Sequence, residues 1–264
     1  IKQREESEGE HMKIIAVMNQ KGGIGKTMTA AAIAYLLGEE HDKRVLICDA
    51  DQQGNISMLY GRYDEEGQGM AELLENHRTT GGAYSTADLI QTTIYSNIDI
   101  IPANGYLMRT NMNLMLTEQQ NQVTRFAAAM EEAQNAYDYC IVDCGLLMDM
   151  TVTNVLTAAD MLIEPVKVGG FEVEAALNTN EQIKTLRALN PDIKTKVLLT
   201  MQQKNKTTAQ VKEWAAAEFN CFSTAVRRSV VAEKSTIAHV PLPAFAKNCI
   251  ATQDYRAVTE ELLK

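Results

Sequence analysis

The chain lacks long apolar runs: nowhere do 18 consecutive apolar residues occur, so no transmembrane helix and no membrane association are expected. Cysteine is sparse, five in 264 residues and none in a Cys-x-x-Cys pair. That leaves buried thiols in a reducing, cytoplasmic setting as the expectation. Residues 1–11, "IKQREESEGEH", have no apolar stretch and do not read as a secretory signal. They are expected to be a vector-derived remnant or a disordered arm, with Met12 the natural start. No repeat, low-complexity linker or domain boundary stands out, so 12–264 is expected to form a single domain. Basic charge is also short, for a net of −9. The shortage is uneven. Residues 1–183 hold 12 Lys and Arg against 27 Asp and Glu, whereas 184–264 hold 13 against 7. An acidic first part and a basic C-terminal third is an asymmetry that can serve a polyanion, or can be only uneven solvated surface.

What is present is strand, loop and helix in alternation. "KIIAVM" (13–18) is a short apolar run that leads into a glycine loop, and "TAAAIAYLLG" (29–38) is helical. Further buried strands are read at 44–49, 97–103, 139–144, 161–166, 195–200 and 222–226, and a final helix at 250–263. A helical stretch over 105–136 carries Met and Leu at three- and four-residue spacing, and that face is expected to be core. Residues 61–69 and 77–86 are expected to be surface loops. Strands apolar throughout, alternating with helices, predict an α/β fold: a mostly parallel twisted sheet with helices on both faces.

The loop "NQKGGIGKTMTA" (19–30) ends as a phosphate-binding loop should, with Gly25, Lys26 and Thr27. Gln20 stands where the first glycine of the common pattern belongs, and an additional lysine, Lys21, stands beside it. Main-chain N–H groups from Gly22, Gly23, Ile24, Gly25, Lys26, Thr27 and Met28 can wrap a phosphate if side chains stay clear, and the following helix adds its N-terminal dipole. Lys26 would neutralise β- and γ-oxygens, and Thr27 would ligate Mg²⁺. "YCIVDC" ends a buried strand in Asp143, the carboxylate that such a metal needs. "DADQQGN" (49–55) ends another in Asp49 and Asp51, which point to one side of an extended chain. One of these could orient an attacking water while the other supports the metal's hydration.

Taken together, "KGGIGKT", "DADQQGN" and "YDYCIVDC" resemble the deviant Walker A ATPases of the ParA/MinD family, most closely the ParA branch that partitions plasmids and chromosomes. The resemblance implies that the α/β fold is that of a P-loop NTPase, with ATP and Mg²⁺ as cofactors and an ATP-dependent homodimer. It implies that Lys21 reaches the phosphates of the partner subunit, that Asp51 positions water, and that Asp49 lies near the metal. It also implies non-specific DNA binding, with Lys204, Lys206, Arg227 and Arg228 as candidates, and a ParB-like centromere-binding protein that stimulates hydrolysis. One departure is "CGLLMD" (144–149), where the branch usually has Pro-Pro-Ser; Gly145 loosens a segment that prolines would stiffen. The alternatives are a membrane-surface positioning ATPase of the MinD kind, which the acidic ending "DYRAVTEELLK" disfavours, and a nucleotide-switched scaffold of slow turnover. An iron–sulfur ATPase resembling the nitrogenase iron protein is prompted by Cys144 and disfavoured by the lack of a cysteine between Cys48 and Cys140.

Overall fold

A computed structural model describes residues 11–116, 122–167, 184, 187–203 and 206–264, with the side chains of 206–211 left aside. Seven strands form one sheet: β1 (Lys13–Val17), β2 (Val45–Ala50), β3 (Gln91–Thr92), β4 (Ile98–Ile101), β5 (Tyr139–Cys144), β6 (Met161–Lys167) and β7 (Lys194–Thr200). Their order across the sheet is β3-β4-β2-β5-β1-β6-β7. Every pairing is parallel except that of β3 with β4. The central strands are buried on both faces, because their side chains feed two cores alternately. Ile14, Ala16 and Met18 of the first strand and its exit enter one, and Ile15 and Val17 enter the other. Helix α1 (Lys26–Tyr35) and the C-terminal helix Ile250–Leu262 pack in the second core. Helices Met70–Glu75, Leu107–Leu116, Arg125–Ala133 and Met150–Ala158 pack in the first.

The register matters most for function. Asp143 is level with Val17 on one side and with Asp49 on the other. The C-terminal ends of β1, β2 and β5 therefore meet at one edge, where parallel α/β sheets place their ligands.

Three expectations are corrected. The stretch 105–136 is not one helix: Leu107–Leu116 and Arg125–Ala133 are separate. Its methionines divide. Met130 is buried, whereas Met108, Met112 and Met115 are 61%, 54% and 70% exposed, so most of that face is surface. The helix instead buries Leu107, Thr110, Asn111 and Leu114, with the Asn111 side chain accepting from the main-chain N–H and the hydroxyl of Thr151. Finally, 222–226 does not add a regular strand. It runs beside β7 with isolated bridges Val197 to Cys221 and Gln202 to Arg227. The expected surface loops hold for the most part, although His77 is fully buried between Thr79 and Thr86.

Candidate functional site

Beyond β1 the chain turns through Gly22–Gly25 into α1. Gly23 and Gly25 have φ of 68° and 94°, the left-handed region that only glycine enters at little cost. Side chains built at Gly22, Gly23 or Gly25 would stand in open space rather than against protein. Helix α1 begins without a side-chain cap, so its first N–H groups remain for an anion. Ile24 is buried, and its carbonyl accepts the Thr200 hydroxyl at 2.8 Å, which ties the loop to the end of β7. Thr27 and Met28 are half-buried, Met28 against the second core.

The two lysines are placed differently. Lys26 is buried, and its ammonium donates to the Lys21 carbonyl at 3.0 Å. Burial lowers its pKa, against the pull of Asp143 and Asp51. Lys21 has an exposed side chain, and the hydrogen bonds described for it are main-chain ones. Its N–H donates to the Asn19 side chain at 2.9 Å. Asn19 in turn donates to Glu164 and to the Pro165 carbonyl at 3.2 and 3.0 Å, anchoring the strap to β6. Asn19 was missed in the sequence, where a polar residue closing an apolar strand was the only sign.

Asp143 is fully buried, and neither carboxylate oxygen has a hydrogen bond of acceptable geometry. Burial and then Asp49 push its pKa far up, while the nearby Thr27 hydroxyl works the other way. A buried carboxylate so placed is stable as an anion only opposite a cation. Asp143 and Thr27 therefore fit a magnesium ion, a hard cation that takes oxygen ligands and would be held here by one carboxylate and one hydroxyl. Asp49 is also fully buried, but its oxygens are occupied. Oδ1 accepts from the Asp51 N–H at 3.1 Å, and Oδ2 accepts from the Ser57 N–H and hydroxyl at 3.0 and 2.6 Å. Burial raises its pKa to about 7, against these bonds. Asp49 thus shapes the turn that presents Asp51. The Asp51 carboxylate is half-buried, accepts from the Gln53 N–H at 3.0 Å and lines the cleft.

The switch segment follows Asp143. A Cβ on Gly145 would lie 3.7 Å from the Ala50 carbonyl and from Asp51 Oδ1, ordinary contact distances, so space does not demand glycine there. Asp149 caps the next helix through the Val152 N–H at 2.9 Å. Cys144 is fully buried and cannot present its thiol across a subunit face.

The loop forms one wall of a cleft of about 640 Å³. The facing wall comes from residues distant in sequence, among them Met201, Val226, Arg227, Arg228 and Tyr255. Met201 holds φ of 53°, a strained value for a side-chain-bearing residue at a ligand cleft. Of the basic candidates, Arg227 is paired with Asp254 and Arg228 is exposed with a loose 3.9 Å contact to Glu233. Lys204 lies outside the described residues; Lys206 opens the helix Lys206–Glu218, and its side chain lies outside them too.

A family model described as an AAA domain matches residues 12–195. The chromosome partitioning protein ParA of Caulobacter vibrioides is 28% identical over 262 residues, covering 96% of this chain and 94% of the relative. The sporulation initiation inhibitor protein Soj of Bacillus subtilis is 35% identical over 199 residues, 72% of each chain. Among solved structures, apo McdA of Cyanothece superposes with a TM-score of 0.81 at 21% identity, over 96% of this chain and all of that one. Cobyrinic acid a,c-diamide synthase of Mycobacterium smegmatis, with a bound ATP analogue and magnesium, superposes at 0.79 with 23% identity, over 96% and 94%. These two likenesses concern the fold. On the domain match and the 35% identity to Soj, the chain belongs to the ParA/MinD family of deviant Walker A ATPases, on its ParA/Soj side.

Proposed function

We propose that this chain is a partition ATPase that dimerises on ATP, binds DNA without sequence preference as the dimer, and is discharged by a ParB-like, centromere-bound partner. The observation that carries the reading is Lys21: an exposed ammonium at the mouth of a phosphate-binding cleft, on a strap held by Asn19, while Lys26 already serves that cleft from within. Two triphosphates brought face to face place about eight negative charges together, and a cation supplied by each subunit to the other offsets them. Within one cleft, Lys26 would neutralise β- and γ-oxygens, Thr27 and Asp143 would hold Mg²⁺, and Asp51 would orient the attacking water. Bound there, a magnesium ion would supply neutralisation of the phosphates' negative charge. Relatives named for chromosome partitioning support the assignment of this machinery to DNA segregation.

The DNA surface in this reading is Arg228 together with Lys204 and Lys206. Arg227 contributes through its position more than its charge, since Asp254 already pairs it. The helix Ile250–Leu262 buries Ala251, Tyr255, Val258 and Leu262 in the core, so those residues are engaged within the fold rather than presented to a membrane surface. Among the described residues no helix is long and apolar enough to cross a membrane.

The test is binding to two unrelated duplexes with ADP, with ATP and without nucleotide, across a salt series. If roughly four to six phosphates are neutralised, log K should fall against log salt with a slope of about −4 to −5, with ATP only. Equal, negligible binding in all three states would refute the DNA reading.

A further inference from the structure

Segment 222–228, whose last three residues line the far side of the cleft, lacks the continuous ladder of a strand. Its main-chain links to β7 and the residues just after it run on one side: the Phe222 N–H donates to the Val197 carbonyl at 2.9 Å, the Val226 N–H to the Leu199 carbonyl at 2.8 Å, the Gln202 N–H to the Val226 carbonyl and the Arg228 N–H to the Gln202 carbonyl, both at 3.0 Å. On its other side, where a neighbouring strand would accept its N–H groups, lies the C-terminal helix Ile250–Leu262. Two carboxylates seven residues apart, and so on one face of that helix, take over the acceptor role. Glu261 accepts from the N–H groups of Ser223 and Thr224 at 2.9 and 3.0 Å. Asp254 accepts from the N–H of Arg227 at 2.9 Å, and again from its Nε at 2.8 Å and its Nη2.

The two acids differ in what they hold. Glu261 secures the end of the segment away from the cleft, at residues that do not line it, whereas Arg227 lines the cleft itself. Asp254 is 7% exposed and grips both the main chain and the guanidinium of Arg227, so rotation of that side chain into or out of the cleft is restrained. The next residue, Tyr255, shares a hydrogen bond of 3.1 Å with the Thr29 hydroxyl of α1, the helix that opens at the phosphate loop. Both Thr29 and Tyr255 are buried. Consecutive residues of the last helix therefore hold opposite walls of one cleft.

We propose that Asp254 is a positioning residue for nucleotide binding: it fixes Arg227 and the 226–228 wall at the distance from α1 that the nucleotide requires. The inference rests on the nucleotide cleft alone and is independent of dimerisation and of DNA, because it is read with ADP on the monomer.

The experiment compares Asp254→Asn with Glu261→Gln. Dissociation constants for a fluorescent ADP are measured, together with KM and kcat for ATP and the thermal midpoint of each variant. Asp254→Asn should weaken ADP binding and raise KM by about tenfold, the effect of losing roughly one charge-assisted hydrogen bond from the wall. Its kcat should stay within about twofold, since the reacting end of the cleft is built from other residues. Glu261→Gln should lower the thermal midpoint and leave ADP affinity unchanged. Should Asp254→Asn fail to fold, Arg227→Lys carries the test. It keeps the charge but not the bidentate fit, and should raise KM similarly. Unchanged ADP affinity in the Asp254 or Arg227 variant overturns the proposal. So does an equal loss in Glu261→Gln, which would reduce Asp254 to general stability.

Discussion

Replacing Lys21 with alanine separates the two lysines more sharply than any other change. Within its own chain the residue is held by its main-chain N–H, which donates to Asn19, and by its carbonyl, which accepts from Lys26. Alanine keeps both. Since the side chain is exposed, the fold should lose no more than about 0.5 kcal/mol. Nucleotide binding by the monomer should also survive, because Lys26, Thr27 and the loop amides are untouched. The dimer should not. A two-fold assembly loses the same contact twice, each a hydrogen bond to a charged group of roughly 1.5–3 kcal/mol, for about 3–6 kcal/mol in all. That predicts a dimer weaker by about 10²- to 10⁴-fold. Lys26→Ala should fail one step earlier. It removes the cation beside Asp143 and Asp51 and leaves the Lys21 carbonyl without that donor, so nucleotide binding itself should collapse.

Sedimentation velocity with a slowly hydrolysed ATP analogue, over a protein concentration series, reads the dimer. Fluorescence of a labelled nucleotide reads the monomer's affinity in the same buffers. A Lys21→Ala protein that dimerises at the wild-type concentration would refute the contact in trans. Loss of nucleotide affinity in that variant would instead return Lys21 to its own cleft.

Asp51→Ala should leave ATP affinity intact and slow hydrolysis by ~10²-fold or more, accumulating the ATP-bound dimer in single-turnover experiments; lost affinity would move Asp51 to the metal. Glu261 supplies a pH dependence whose sign follows from its partners. Burial works to raise its carboxyl, but the donors of Ser223 and Thr224 prevail and hold it below its ordinary 4.5. The stability it contributes is present above that value and lost as pH falls through the lower folded one. The gap in urea stability between the wild type and Glu261→Gln should therefore be widest near neutrality and close in acid, and a gap that widens below pH 4.5 would contradict the assignment.

The phosphate side of the site was legible because its parts are local. A glycine loop between an apolar strand and a helix is written within a dozen consecutive residues, and Asp49, Asp51 and Asp143 each close an apolar strand. The parallel pairing then aligns them, with Asp143 level with both Val17 and Asp49. Even so, the sequence could not divide the labour among the acids. Only the hydrogen bonds show Asp49 occupied by Ser57 and Asp51, and Asp143 without a partner. The far wall was not legible. It joins residues near 201, 227 and 255 through tertiary contacts, and a short apolar run at 222–226 reads as a strand whether its N–H groups meet a neighbouring strand or two carboxylates of a helix. The Met-rich stretch misled for a related reason. Spacing of three and four marks a helix face, and the same spacing fits a face turned to the core or to solvent. In Leu107–Leu116 the buried face is the one carrying Asn111, whose bonds to Thr151 compensate its polarity.

The basic C-terminal third shows how far a charge count can carry an argument about DNA. Its surplus is real, 13 against 7, but several of the cations are engaged within the fold. Arg227 is paired with Asp254, Arg256 with Glu40, and Lys196 lies 3.8 Å from Glu261 and over the Phe222 ring. Arg228, 57% exposed and 3.9 Å from a carboxylate that is itself 66% exposed, can exchange that contact for a phosphate at small cost. Counterion release counts the phosphates that a protein neutralises, not its net charge, so the salt slope is the quantity that distinguishes engaged from available cations. Asp254→Asn releases Arg227, itself a candidate for DNA contact, from its pair and leaves Arg228 in place. If Arg227 served DNA directly, that variant would steepen the slope; if the arginine belongs to the nucleotide wall, the slope should hold while ADP affinity falls.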